Sequence, residues 1–157
     1  MRRLAIIALL AVLPAARGAA QTPDDTTKYL RISPAVGFHY GVPLKLSVAA
    51  GGLFDFRGPH DDGVIVMAEM GQGGGEASLG YFRMARFGQG FDVRAAVIRT
   101  SPNPRNASPE TTYLGAEAHV MFVLGVGGRV GWFRRVSPYN GTDVHDSFLA
   151  LRASIGL

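Results

Sequence analysis

The sequence predicts an all-β chain: an eight-stranded antiparallel up-and-down transmembrane β-barrel that follows a cleaved signal peptide. Three observations carry this expectation. Residues 147–157 alternate with period two, Leu149, Leu151, Ala153, Ile155 and Leu157 on one face and Ala150, Arg152, Ser154 and Gly156 on the other, which is the pattern of a strand with one oily side. At the opposite end, Arg2 and Arg3 precede an apolar run over residues 4–16, and Gly18, Ala19 and Ala20 stand before Gln21, the layout of a secretory signal. Between the two, glycine is frequent, charge is sparse at 18 % of residues, and no window carries a 3.6-residue apolar stripe, so short strands are expected rather than helices.

Residues 1–20 are read as the signal peptide, because their apolar run is shorter than the roughly 20 residues a membrane-spanning helix needs. Residues 21–28, with Pro23, Asp24 and Asp25, have coil chemistry and are read as a short periplasmic leader. The barrel domain is expected over residues 29–157. Its first strand, at about 29–40, sets Leu30, Ile32, Val36 and Phe38 against Arg31, Ser33, Gly37 and His39. Pro34 removes a ladder donor there and predicts a bulge or a gap in pairing. Residues 41–43 turn the chain into a second strand reaching about residue 56, where Leu44, Leu46, Val48, Ala50, Phe54 and Phe56 oppose Lys45, Ser47, Ala49 and Asp55.

A connection at residues 57–63 leads to a third strand, with Val64, Val66, Ala68 and Met70 set against Ile65, Met67 and Glu69. The glycine-rich stretch 72–75 lacks the lysine and helix of a phosphate loop and is read as a hairpin turn. The fourth strand places Ala77, Leu79 and Tyr81 opposite Glu76, Ser78 and Gly80; after a turn at 86–90, the fifth places Phe91, Val93, Ala95 and Val97 opposite Asp92, Arg94 and Ala96. Residues 101–111, with three prolines and two asparagines, read as a surface loop. In the sixth strand Leu114, Ala116, Ala118, Val120 and Phe122 oppose Tyr113, Gly115, Glu117 and His119, and in the seventh Val126, Gly128, Val130 and Trp132 oppose Gly127, Arg129, Gly131 and Phe133. A second long loop at 137–146 precedes the closing strand.

The less oily faces hold Arg31, Lys45, Arg94, Arg129 and Arg152 together with Asp55, Glu69, Glu76, Asp92 and Glu117. An eight-stranded barrel is only wide enough for side chains to fill it. If lipid takes the apolar face, these ten groups share that space and must neutralise one another, since an unpaired buried charge costs several kcal/mol. Ser47, Ser78, Ser154, Gly80, Gly115 and Gly131 on the same face leave room for them. Of the outward aromatics, Phe38 and Trp132 are expected at one rim, and Phe54, Phe56, Tyr81, Phe91 and Phe122 at the other, as membrane-interface girdles.

Removing the signal leaves 13 basic against 12 acidic side chains. The high isoelectric point therefore does not indicate a nucleic-acid partner, and no basic run exceeds Arg134-Arg135. With no cysteine, the mature chain has neither disulfides nor a lipoprotein anchor.

In signal, alternation and closing strand, the chain resembles the small eight-stranded outer-membrane barrels of the OmpA membrane-domain and OmpX-like families. The resemblance covers residues 29–157 and rests on hydropathy pattern rather than on a motif. It implies a monomer with a salt-bridged interior, inserted into outer-membrane lipid by the barrel assembly machinery. One departure is the terminal Leu157, where these families usually carry Phe or Trp.

Four histidines invite other chemistry. His60-Asp61-Asp62 and His145-Asp146 could hold a cation, but the connections place them on opposite rims. His119, two residues from Glu117, could form an acid/base pair, although a lumen hydrogen bond suits a filled barrel better. His39, Ser147 and Asp146 form the best nucleophile-like grouping for a lipid-modifying enzyme. Asn106-Ala107-Ser108 and Asn140-Gly141-Thr142 read as turn residues. The expectation is a non-enzymatic outer-membrane barrel, without metal or cofactor, with a structural or surface-interaction role carried by the two long loops. The alternative, a soluble periplasmic calycin-like barrel for a small apolar ligand, requires the apolar faces inside and the charges in water.

Overall fold

The computed structural model describes residues 31–56, 61–85, 89–122, 125–138 and 145–156. The signal and leader, His60, Asn140-Gly141-Thr142 and Leu157 lie outside the described residues. Eight antiparallel strands, β1 (Arg31–Gly41), β2 (Lys45–Asp55), β3 (Asp61–Gly71), β4 (Gly74–Met84), β5 (Gly90–Thr100), β6 (Thr112–Met121), β7 (Val126–Arg135) and β8 (Ser147–Gly156), close into one barrel in sequence order.

The register sets the shape. A walk across paired residues from Arg31 passes Asp55, Gly63, Phe82, Asp92, His119, Arg129 and Arg152 and returns to β1 at Gly41, ten residues beyond its start. With a strand spacing near 4.8 Å and a rise near 3.3 Å, this stagger tilts the strands by about 40° and gives a backbone radius of about 8 Å. Strands of 10 or 11 residues then stand about 25 Å tall along the barrel axis.

Alternation follows the sequence pattern along the strands, interrupted in β2 at Ala50 and Gly51, which are both exposed. Burial along β8 switches at every residue: Leu151 is 56 % exposed and Arg152 4 %. Pro34 causes no bulge, because β1 pairs with β2 without interruption, Pro34 opposite Gly52. The Val42 N–H donates to the Leu151 carbonyl (3.0 Å), so even-numbered N–H groups of β1 point toward β8. Among the described residues, that strand reaches β1 only from Gly37 onward, so Pro34 removes a donor from a stretch of β1 that β8 does not cover.

The lumen is layered. Toward the end that carries the termini, Ala35, Leu53, Ile65, Met67 and Phe82 of β1–β4 form an apolar plug. At the opposite end, Ile98, Tyr113, Phe133 and Phe148 of β5–β8 pack with Leu44 of the β1–β2 turn, Tyr113 edge-on to Phe148 and Phe148 stacked on Phe133. Leu44 thus points inward rather than joining the oily exterior, since it belongs to a turn and escapes the alternation of β2.

The loop at 101–111 is no free surface loop. It folds across the mouth of the barrel, burying Ala107, Ser108 and Thr111. Its ties explain this: Thr100 Oγ1 donates to the Ser108 carbonyl (2.7 Å), Ser108 N–H to the Tyr113 hydroxyl (2.9 Å), and Arg105 N–H to the Pro43 carbonyl (3.2 Å). The Tyr113 hydroxyl in turn donates to the His145 carbonyl (3.0 Å), and His145 N–H donates to Ser108 Oγ (2.9 Å). Asn106 takes a left-handed φ of 53°, a conformation its side chain tolerates better than most. Gly73 of the β3–β4 turn is held to the Leu44 carbonyl, and a Cβ there would overlap the Pro43 carbonyl. The two short turns and the loop therefore make one compact end.

Candidate functional site: the charged interior

Between the two apolar layers lies a belt of charge built from the inward positions of β3–β8. Glu69, Glu76, Asp92, Arg94, Glu117, Arg129 and Arg152 are all buried. Arg31, Lys45 and Asp55, expected among them, do not join it. Arg31 is exposed and the other two are half-buried, because they are the end residues of β1 and β2 and sit at the rims. Arg31 and Asp55 pair in register at the termini end, and Lys45 lies directly after the β1–β2 turn. The interior balance is therefore three guanidinium groups against four carboxyl groups, with two histidines, rather than five against five.

Two nodes divide the belt. In the larger, Arg152 and Arg129 clamp three glutamates. Arg152 Nη2 reaches Glu76 Oε2 and Glu117 Oε2, each at 2.6 Å, and its Nη1 reaches Glu69 Oε1 at 3.1 Å. Arg129 Nη1 lies 3.0 Å from Glu69 Oε2, 3.2 Å from Glu117 Oε1 and 3.6 Å from Glu76 Oε1. Ser47 Oγ donates to Glu69 Oε1 (2.5 Å). His39 Nδ1 stands 2.8 Å from Glu69 Oε2, while its Nε2 lies 3.3 Å from Arg129 Nη2. A guanidinium can only donate, so Nε2 of a neutral His39 is the acceptor and the ring proton falls on Nδ1, which faces Glu69 without a well-aligned hydrogen bond.

In the smaller node, Arg94 grips Asp92 through Nε to Oδ1 (2.6 Å) and Nη2 to Oδ2 (2.8 Å), a bidentate pairing. His119 Nδ1 meets Asp92 Oδ2 at 3.0 Å, and His119 Nε2 meets Ser154 Oγ at 2.6 Å. His119 thus takes Asp92, its register neighbour on β5, and not Glu117 of its own strand. Ser154, His119 and Asp92 stand in the order of a hydrolytic relay. Asp92 and His119 are fully buried and Ser154 is 2 % exposed, so the hydroxyl is closed to a substrate as the chain is folded. The bonds satisfy buried polar atoms that would otherwise destabilise the lumen, with Arg94 Nη1 left without a hydrogen bond among the described residues.

The grouping of His39, Ser147 and Asp146 does not assemble. His39 pairs in register with Ser154, whereas Ser147 is exposed and pairs with Arg134 on β7. Asp146 is taken by Arg135, Nη2 to Oδ1 at 2.6 Å. Asp61 and Asp62 lie at the termini end and His145-Asp146 at the other. Asp62 Oδ2 accepts a hydrogen bond from the Tyr81 hydroxyl (2.8 Å).

All the outward aromatics point away from the lumen. Phe54, Phe56, Tyr81, Phe91 and Phe122 lie toward the termini end, and Trp132 toward the other. Phe38 sits nearer mid-height, opposite Val48 and Ile155. Tyr40, two residues farther along β1 and exposed, takes the rim position expected of Phe38.

Sequence reasoning placed His119 in a lumen hydrogen bond but not with Asp92, and it missed His39, Ser47 and Ser154 as members of the belt, and Leu44, Tyr113, Phe133 and Phe148 as its cap. Their inward parity was readable; which strands would bring them together was not. Comparison of the chain with protein-family models, with curated proteins and with solved structures finds no match.

Proposed function

We propose that this chain is an outer-membrane β-barrel with a filled, non-conducting lumen, acting in a structural or surface-interaction role rather than in catalysis. One observation carries the reading: the wall is apolar outside and ionic inside. Met70, Leu79, Val93, Leu114, Trp132 and Leu151 are exposed, while Arg94, Arg129, Arg152 and four carboxyl groups are buried. In water this would leave a continuous oily belt exposed, far larger than soluble monomers tolerate. In a bilayer the same belt, carried by strands that stand about 25 Å tall, suits the apolar band of a membrane barrel. The soluble calycin-like alternative needs the opposite distribution.

The closed sheet pairs all eight strands on both sides, with only residues 31–36 of β1 beyond the described reach of β8, and so keeps nearly all backbone polar groups out of lipid. The two apolar plugs and the clamp of Arg129 and Arg152 occupy the lumen that a conducting path would need, and so support a filled barrel. In this reading the compact end at 101–111 and 145–146 faces outward, the termini face the periplasm, and the partners are outer-membrane lipids and the barrel assembly machinery, the chain remaining monomeric.

The test is fractionation of a Gram-negative host expressing the full chain, with gel migration compared before and after boiling. Recovery in the detergent-extracted outer membrane, with a band that shifts on heating, supports the proposal. Recovery in the soluble periplasmic fraction without detergent overturns it.

A further inference from the structure

The oily belt is not uniform around the barrel. On β5–β8, at the end opposite the termini, it stops abruptly against a polar row. Val97, Leu114, Trp132 and Leu149 face outward, and one step beyond them on the same strands stand Arg99, Thr112, Arg134 and Ser147. Arg99 Nη1 donates to Thr112 Oγ1 (3.0 Å). Neither Arg99 nor Arg134 forms an ion pair among the described residues. The matching height of β1–β4 shows Tyr40, Leu46 and Met70 facing outward and no outward cation. Lys45 and Arg105 also lie at this end, at the β1–β2 turn and on the loop over the mouth, so it is the outward strand cations of this rim, Arg99 and Arg134, that are confined to β5–β8.

Below that row β6–β8 carry a shallow, open groove. It has a volume of about 490 Å³, and Ala118, Val120, Gly128, Val130, Leu151 and Ala153 form its outer wall. Gly128 makes its floor: only the Arg152 carbonyl comes within 4 Å of a Cβ placed there, at 3.8 Å, so the space is open rather than filled by a neighbour. Gly128 and Arg134 share the outward face of β7 six residues apart, about 20 Å along the strand and roughly 15 Å along the tilted barrel axis. That is about the depth of one leaflet of a hydrocarbon core near 30 Å thick.

We propose that the outer face of β5–β8 holds one anionic lipid with a phosphate headgroup, its phosphate against Arg99 and Arg134 and one acyl chain lying down the wall past Trp132 into the groove at Gly128. This rests on the membrane reading above. Guanidinium groups match phosphate oxygens in charge and fork geometry, and the Ser147 hydroxyl, in register with Arg134, adds a neutral donor. The occupant is a lipid molecule rather than free phosphate because the cations sit directly on an apolar wall continuous with the groove.

The experiment is native mass spectrometry of the refolded barrel in a zwitterionic detergent, titrated with phosphatidylglycerol or phosphatidylcholine. The parent is expected to retain one phosphatidylglycerol in preference to phosphatidylcholine. An Arg99→Ala, Arg134→Ala double variant should lose that preference by roughly tenfold or more. Gly128→Leu, which fills the groove without meeting backbone, should weaken retention of both lipids while the barrel still shifts on heating. Equal retention of the two lipids by the parent, or an unchanged preference in the double variant, overturns the proposal. Unchanged retention in Gly128→Leu overturns the acyl-chain placement. A parent that shifts on heating and sits in membranes yet shows no preference sinks this proposal alone; a parent that never enters membranes sinks the membrane reading first.

Discussion

The two polar nodes of one lumen are wired differently. Around Arg129 and Arg152 each glutamate lies within 4 Å of both guanidinium groups. Around Arg94 the bonds run in line, from Arg94 to Asp92 to His119 to Ser154. In the first, charge is spread over partners on β3, β4, β6, β7 and β8, so it ties most of the barrel's circumference together. In the second, each group depends on one neighbour at each side. The difference teaches that buried charge in a narrow barrel can be neutralised by sharing or by sequence, and that the two arrangements fail differently.

The largest effect should come from removing the centre of the shared node. Arg152→Leu strands Glu76 Oε2 and Glu117 Oε2, both 2.6 Å from Arg152 Nη2, and leaves one guanidinium among three carboxylates. Breaking a buried pair from one side costs about 3–5 kcal/mol, so urea unfolding of the inserted barrel should move to markedly lower concentration. An unchanged midpoint would show that Arg152 is not the clamp its distances describe. Its neighbour provides the control for the wall. Leu151→Arg leaves the node intact but turns a cation outward, which should cost about 2–4 kcal/mol at mid-bilayer. If Leu151→Arg fractionates and unfolds like the parent, the outward face is not in lipid.

These two substitutions also mark what could be read from the sequence. Strand number, strand faces and the burial of Glu69, Glu76, Asp92, Arg94, Glu117, Arg129 and Arg152 follow from period-two alternation, because a strand turns each successive side chain to the other face whatever its neighbours do. Partnership does not follow from it. Glu69 meets Arg129 across the lumen, 60 residues away, and that meeting depends on a stagger accumulated over eight registers. The rim residues Arg31, Lys45 and Asp55 have the parity of the belt but not its height, and height also comes only from stagger and tilt. Leu44 and the 101–111 segment were misjudged for another reason. Turns and loops have no periodicity, and polar composition alone could not reveal that Tyr113 would draw Ser108 and His145 over the mouth.

A smaller loss is expected in the linear node from Asp92→Asn, which keeps the shape of the side chain while removing its charge. Arg94 then loses its charged bidentate partner and His119 its carboxylate acceptor, for a cost of about 3 kcal/mol, the low end for breaking a buried pair because the amide oxygen still accepts from the guanidinium. The loss should be smaller than that of Arg152→Leu, because one carboxylate and one arginine are affected rather than three carboxylates. Urea midpoints measured side by side decide the order, and a reversed order would mean that Asp92, not Arg152, holds the belt together.

The finest distinction lies between two serines. Ser154 Oγ is the partner of His119 Nε2 at 2.6 Å, and Ser154→Ala leaves that ring nitrogen without its protein neighbour in a buried setting. The cost should be about 1 kcal/mol. Ser47 also binds a buried acceptor, Glu69 Oε1, but that oxygen keeps Arg152 Nη1 at 3.1 Å when the hydroxyl is removed. Ser47→Ala should therefore cost less, about 0.5 kcal/mol or below. Both substitutions remove one oxygen from one inward small residue, so packing changes nearly cancel in the comparison and the remaining difference reports connectivity. If Ser47→Ala destabilises as much as Ser154→Ala, sharing gives no protection and the contrast between the nodes is one of geometry without energetic consequence.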